Sequence, residues 1–238
     1  MINLSSSQNN SNNTYNCKLC KDTEWIVDDN NNASPCGCRE VNLYQRLLDN
    51  SNLSEDFKKK NFDNYNTSSK PKVLTTAKKI AIEYAKDFEK IKKERNNSIA
   101  LLGQVGCGKT HLSIAISNAL MHDGHGVLYM QYREAIMQLK QNVMDQEYYQ
   151  KEIDKYKTAS VLLIDDLYKG KISDSDYNIM FEVINYRYLK GLPIIVSSEF
   201  LTDNLLSRDE AIGSRIIEMC KGRIVEFEGS ELNYRLNG

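Results

Sequence analysis

The chain has 238 residues, 41% apolar and 26% charged, and its 31 basic and 32 acidic side chains leave a formal charge of −1. That length and composition support one globular domain of ordinary size with an accessory piece, and the balanced charge excludes a global positive field, so any nucleic-acid contact has to be local. No run approaches the roughly 18 apolar residues that cross a bilayer, and the N-terminal "MINLSSSQNNSNNTYN" has neither the basic start nor the apolar stretch of a secretory signal, so a cytoplasmic protein with no membrane partner is expected.

In chain order, residues 1–16 are rich in Asn and Ser and are expected to form a disordered tail. Residues 17–40 carry four of the six cysteines, Cys17, Cys20, Cys36 and Cys38, as C-x2-C followed by C-x-C. In a reducing compartment such a cluster suits a metal better than disulfides. Four thiolates at the corners of a tetrahedron fit Zn²⁺, which organises a segment too small to fold alone; incidental cysteines in a polar tail are the alternative. Trp25, Ile26 and Val27 are the expected apolar contact of this module, while Cys107 and Cys220 read as a loop filler and a buried thiol.

Residues 41–70 read as a helical linker: "VNLYQRLLDNSNLSEDFKKK" has apolar residues at roughly helical spacing and "NFDNYNTSSKP" breaks the pattern. A helix is expected from Val73 to about Glu94. Over residues 71–238, short apolar strands then alternate with helices: "SIALLG", "KTHLSIAISNALM", "GVLYM", "REAIMQLKQNV", "SVLLID", "SDYNIMFEVINYRYLK", "PIIVSS". The alternation predicts an α/β fold, a parallel sheet covered by helices on both faces.

The chemistry begins in "GQVGCGKTH", residues Gly103, Gln104, Val105, Gly106, Cys107, Gly108, Lys109, Thr110 and His111. This fits G-x4-G-K-[ST] after a predicted strand and at the start of a predicted helix. Its glycines let successive N–H groups point at phosphates, and the helix N-terminus adds partial positive charge. Lys109 is placed to reach the β- and γ-phosphates of ATP and Thr110 to ligate Mg²⁺. "VLLIDD" ends a buried strand in two acids: Asp165 is expected to hold Mg²⁺ and Asp166 to orient or deprotonate the attacking water. Two solvated strand-end acids are the plainer reading.

"PIIVSSEF" supplies a third strand tip, where Ser198 or Glu199 can sense the γ-phosphate; an anion there repels phosphate unless a cation or Mg²⁺ pairs with it. Arg215, after a Gly-Ser pair in "DEAIGSRIIEMCKGRIVEF", can project into a neighbouring subunit's ATP site or stay a surface arginine.

The ordered set "GQVGCGKTHLSIAISNAL", "VLLIDDL", "INYRYLKGLPIIVSSEF" and "DEAIGSRIIEMCKGRIVEF" resembles the bacterial and phage helicase-loader ATPases of the DnaC/DnaI type, in the AAA+ superfamily. "CKLCKDTEWIVDDNNNASPCGCRE" looks like the cysteine module that precedes the ATPase domain in many phage and Gram-positive loaders, and together the resemblance spans nearly all of residues 17–228. It implies a P-loop NTPase sheet without a C-terminal helical lid, preceded by a zinc-binding module. It also implies slow ATP hydrolysis used as a switch, an N-terminal grip on a ring-shaped replicative helicase, single-stranded DNA binding, and self-association through the ATP site. By resemblance Arg215 falls on the arginine that reaches the adjacent subunit's nucleotide, and Arg187 in "NYRY" lies near that interface. Glu199 stands where relatives often carry Asn, which puts the sensor role and the hydrolysis rate in question. Lys169, Lys171, Lys221 and Arg223 are candidate DNA-backbone contacts when several copies line up, and equally what a solvated surface looks like. An IstB-type transposition helper is the alternative function; a small-molecule P-loop kinase would need an inserted lid that the sequence after the loop does not show.

Overall fold

The computed structural model describes residues 15–49, 55–68 and 71–234. The tail expected to be disordered lies outside the described residues except for Tyr15 and Asn16. The chain divides into two compact units, residues 1–39 and 40–238.

In the first unit, β1 (Trp25–Val27) pairs antiparallel with β2 (Ala33–Pro35). Asp28 makes the turn between them: its Oδ1 accepts the amides of Asn30 at 2.9 Å and Asn32 at 2.8 Å, the side-chain closure that gives Asp its place in turns. The expected apolar contact does not form. All three residues of β1 are exposed, because a hairpin of three-residue strands has no second layer to cover it. What is buried instead is Cys20 and Cys36, while the Trp25 ring carries the Arg39 guanidinium 4.7 Å from its centroid.

The second unit is built on five strands, β3 (Ile99–Gly103), β4 (Val127–Gln131), β5 (Val161–Leu167), β6 (Ile194–Ser198) and β7 (Ile224–Phe227). They are all parallel, in the order β4-β5-β6-β3-β7. Every residue of β3 and β6 is buried, as expected of strands covered on both faces, whose sequences read as continuous apolar runs. Side chains alternate between two cores. Ile99, Leu101, Leu163 and Ile195 face helices α3 (Lys72–Ile91) and α4 (Lys109–His122). Ala100, Leu102, Ile164 and Val196 face α5 (Tyr132–Gln141), α6 (Gln146–Thr158), α7 (Asp174–Lys190) and α9 (Glu210–Met219). Short helices α2 (Glu55–Lys58) and α8 (Thr202–Arg208) complete the unit; helix α1 (Cys38–Asp49) opens at the fourth cysteine rather than at Val41.

Helix α6 was not anticipated from the sequence. Its only fully buried residue is Ile153, and the remaining inward positions, Tyr149 and Tyr156, are amphipathic aromatics in a polar stretch, so its stripe at i, i+4 and i+7 is disguised. Asp145 caps it by accepting the Tyr148 amide at 3.0 Å. Helix α7 starts with a Ser173/Asp176 capping box and ends at Gly191 in the left-handed region.

Arg187, expected near a subunit interface, is fully buried on α7. Its guanidinium donates to the carbonyls of Tyr156 (3.0 Å), Ala159 (2.8 Å), Lys157 (3.2 Å) and Pro193 (2.7 Å). It ties the end of α6 and the start of β6 to α7 and presents nothing to a partner. Among the described residues, no helix is long and apolar enough to cross a membrane.

Candidate functional site

Strand β6 separates β3 from β5, so the phosphate-type loop after β3 and the acids ending β5 flank the tip of β6 at one edge of the sheet. The loop needs its glycines. Gly103, Gly106 and Gly108 have φ of +106°, +76° and +89°, a region that favours glycine. A Cβ on Gly103 would also clash with the Phe227 carbonyl oxygen. A left-handed residue directly before α4 turns the loop so that the helix N-terminus faces the cleft, an arrangement suited to phosphate.

The cleft encloses about 400 Å³, and Val105, Gly106, Gly108, Lys109, Thr110, His111, Asp166 and Glu199 all line it. Lys109 Nζ donates to Gly103 O and Gln104 O, both at 2.7 Å, and burial lowers its pKa. Gly103, Gln104 and Cys107 do not line the cleft; Cys107 is fully buried, with Sγ donating to Gln104 O at 3.0 Å, the filler role expected of it.

Asp165 sits beneath the loop, 5% exposed. Three hydroxyls donate to it: Ser197 at 2.6 Å and Thr110 at 2.9 Å on Oδ1, and Tyr129 at 3.2 Å on Oδ2. Burial raises its pKa against the pull of Ser197 and Thr110. A buried carboxylate with a threonine hydroxyl oxygen 2.9 Å away offers the adjacent hard oxygen ligands that Mg²⁺ takes. Asp166 follows at φ +58°, where β5 breaks register between Ile164 and Leu167, and this irregularity turns its side chain into the cleft.

Ser198 does not line the cleft. It is fully buried and donates to Leu167 O at 2.8 Å. Its neighbour Ser197 takes the position instead, donating to Asp165 and accepting the Asp166 amide at 2.9 Å. Lys169, expected as a DNA contact, points into the cleft and pairs with Asp166 and Glu199. Arg215 is half-buried and outside the cleft; its Nε donates to Asn185 Oδ1 at 3.1 Å, and the guanidinium lies 5.2 Å from the Phe181 ring and 5.4 Å from that of Tyr188.

The far wall comes from a segment read as linker. Tyr65 is buried, donates to Cys107 O at 3.1 Å, and meets the His111 ring edge-on at 5.0 Å. His111 Nε2 lies 2.8 Å from Asn64 Oδ1 and 3.0 Å from Asn61 O. Asn118 donates to the carbonyls of Lys58 and Lys60. Residues 58–66 are thus strapped across α4, and Tyr234 joins Tyr65 at a ring separation of 6.4 Å.

In the first unit, the four sulfurs of Cys17, Cys20, Cys36 and Cys38 all lie within 4.8 Å of one another. Cys17 and Cys36 are 3.7 Å apart, Cys20 and Cys38 3.4 Å, and none is in a disulfide. Zn–S bonds of about 2.3 Å in a tetrahedron put sulfurs roughly 3.8 Å apart, so the donor set fits a structural zinc.

Comparison with known proteins gives this geometry a family. The model described as IstB-like ATP binding protein matches residues 39–235. The chain belongs to that ATP-binding family. Two Bacillus subtilis (strain 168) relatives are similar over most of its length: the phage-like element PBSX protein XkdC, 39% identical over 94% of this chain and 87% of its own, and the uncharacterized protein YqaM, 40% identical over 92% and 71%. The crystal structure of the DnaC helicase loader superposes with a TM-score of 0.63 at 23% identity, covering 74% of this chain and 100% of that one. The fold is therefore the P-loop NTPase fold of that loader, and in this member of the IstB-like family the four-cysteine unit precedes the matched span.

Proposed function

We propose that the protein is an ATP-controlled loader that places a ring-shaped replicative helicase on single-stranded DNA. The observation that carries this reading is the division of labour along the chain. The family match begins at residue 39, directly after the last of the four clustered cysteines. The nucleotide machinery is thus common family property, and a separate zinc-type module is added in front of it. A small metal-organised module with no cleft residues of its own is suited to docking on a protein partner.

In the ATPase unit, Gly106, Gly108 and the start of α4 cradle the phosphates, and the Lys109 ammonium neutralises them. Thr110 and Asp165 would hold Mg²⁺, which when bound neutralises charge on the terminal phosphates. Asp166 accepts a proton from, or orients, the attacking water, and Arg215 reaches the nucleotide of an adjacent copy. ATP need only favour one assembly state over another for this to operate as a switch, so slow hydrolysis suffices. Arg133 and Lys171 line a depression beside the cleft in which Lys140 is already paired with Asp176, and Arg133 and Lys171 are the local basic surface we assign to DNA; such contacts make affinity fall steeply with salt.

The family description favours one second reading, a transposition helper of the IstB type. Mixing the purified protein with the replicative helicase of its host, with and without ATP and Mg²⁺, separates the two. A complex on gel filtration that is lost in Cys17→Ser/Cys20→Ser supports loading. No complex, together with capture of a transposase, moves the assignment to the helper.

A further inference from the structure

The cleft contains a cation that the phosphate loop does not supply. Lys169 follows β5 on a tight turn in which its amide donates to Asp166 O at 3.1 Å and Tyr168 has φ +63°. The turn folds its side chain back over the strand end. Nζ lies 2.5 Å from Asp166 Oδ2 and 3.4 Å from Glu199 Oε1, and all three residues line the cleft with Lys109 and Thr110. Burial works to lower the Lys169 pKa, but the hydrogen bond and charge of Asp166, with Glu199 behind it, outweigh burial and raise it. The ammonium is therefore charged throughout the physiological range.

Phosphates enter such a site at the helix N-terminus, and the terminal one faces the acid-bearing strand tips. Here those tips present Asp166 and Glu199, two carboxylates that would repel it if bare. Lys169 stands between them.

We propose that Lys169 is a catalytic residue of the ATP site, held by Glu199 and passing from Asp166 to the terminal phosphate of ATP. The inference rests on reading the cleft as an ATP site. The transfer leaves Asp166 free when substrate is present. In hydrolysis the water oxygen bonds to the terminal phosphorus as the bond to the bridging oxygen breaks. The electron pair leaves with ADP, and the water proton passes to Asp166. Glu199, an obstacle as an isolated anion, becomes the pivot that keeps Lys169 in reach.

The test is calorimetric titration of ADP and a non-hydrolysable ATP analogue, with Mg²⁺, into the wild type, Lys169→Ala, Lys169→Arg and Lys169→Ala/Glu199→Gln. The preference for the triphosphate falls roughly tenfold in Lys169→Ala while ADP affinity stays within about twofold, the scale of one charge-assisted hydrogen bond. Lys169→Arg keeps most of the preference, and the double variant recovers part of it because the unpaired carboxylate is gone. An unchanged preference in Lys169→Ala overturns the proposal. So does an equal loss for both nucleotides, which would make Lys169 a structural clamp on Asp166. A wild type that binds neither nucleotide overturns the ATP-site reading itself.

Discussion

Ser197 donates a 2.6 Å hydrogen bond to Asp165 while its oxygen accepts the Asp166 amide at 2.9 Å. One hydroxyl therefore fixes the buried carboxylate and the left-handed residue beside it. Removing it in Ser197→Ala leaves the Asp166 amide without that acceptor and Asp165 short of a donor, a loss of about 1–3 kcal/mol when buried groups are involved. The expected outcome is a lower denaturation midpoint and a ten- to hundredfold lower kcat for ATP, of the order that misplacing a reacting group produces, with KM changed much less. Ser197→Thr keeps the hydroxyl and retains most of the turnover.

Asp165 makes stability depend on pH. Its folded pKa is raised above the ordinary carboxylate value of 3.8 by burial, so between those two pKa values the folded chain binds more protons than the unfolded one. Stability contributed by this group is present at low pH and falls as pH rises through the window. Asp165→Asn removes that penalty. At pH 7 the variant should unfold at a higher temperature than the wild type in the absence of nucleotide and Mg²⁺, and the difference should shrink as pH is lowered toward 4. It should also lose Mg²⁺-dependent ATP hydrolysis. An unfolding temperature at pH 7 no higher than that of the wild type would show that the three donating hydroxyls already offset the burial.

The four-cysteine unit is predicted to hold one zinc ion per chain, measured by elemental mass spectrometry. Chelation or Cys36→Ser should release the metal and collapse the β1–β2 hairpin, which has no apolar core of its own because Trp25, Ile26 and Val27 are all exposed. Since the ATPase unit contains none of these cysteines, ATP binding should be unchanged. Any helicase complex should be lost. Loss of ATP affinity on chelation would contradict this separation.

Arg187 tests whether its role is inside the subunit. Four carbonyls share its guanidinium, and hydrogen bonds to charged groups are worth about 1.5–3 kcal/mol each. Arg187→Met should therefore destabilise the fold by several kcal/mol, on the order of 3 or more, in denaturant melts. Arg187→Lys should recover little, because an ammonium cannot reproduce the planar fork. A variant with native stability and impaired self-association would restore the interface reading.

Much of the ATPase unit is legible in the sequence for a physical reason: parallel strands buried on both faces appear as unbroken apolar runs, and the phosphate loop must spend glycines where φ is positive. The same burial hides other things. In "PIIVSSEF" both serines are fully buried, so no polar and apolar alternation distinguishes Ser197, which touches Asp165, from Ser198, which bonds to Leu167. The burial of Arg187 is hidden because its partners are main-chain carbonyls that leave no trace in sequence. The strap of residues 58–66 is hard to see for the same reason: it is held by Asn118 and His111 bonding to its backbone oxygens, and Phe62 and Tyr65 are its apolar clues. The pairing of Lys169 is hidden too, because local spacing shows its charge but not the turn that folds it back onto Asp166.

Arg215 supports the sharpest test of assembly. It rests on Asn185 and between the rings of Phe181 and Tyr188, so it is preorganised without lining its own chain's cleft. An arginine that acts on an adjacent copy makes each active site a composite of two chains. Lys109→Ala then removes nucleotide from a subunit but leaves its arginine, and Arg215→Ala does the reverse. Each variant alone should be inactive. In a one-to-one mixture, about one interface in four pairs an intact nucleotide site with an intact arginine, so turnover should return to roughly a quarter of the wild type, given a head-to-tail interface and a finger worth 10³ or more in kcat. Recovery should vanish on dilution below the assembly concentration. If the mixture stays inactive while both variants still co-assemble on gel filtration, Arg215 does not act across the interface and its stacking on Phe181 and Tyr188 is structural.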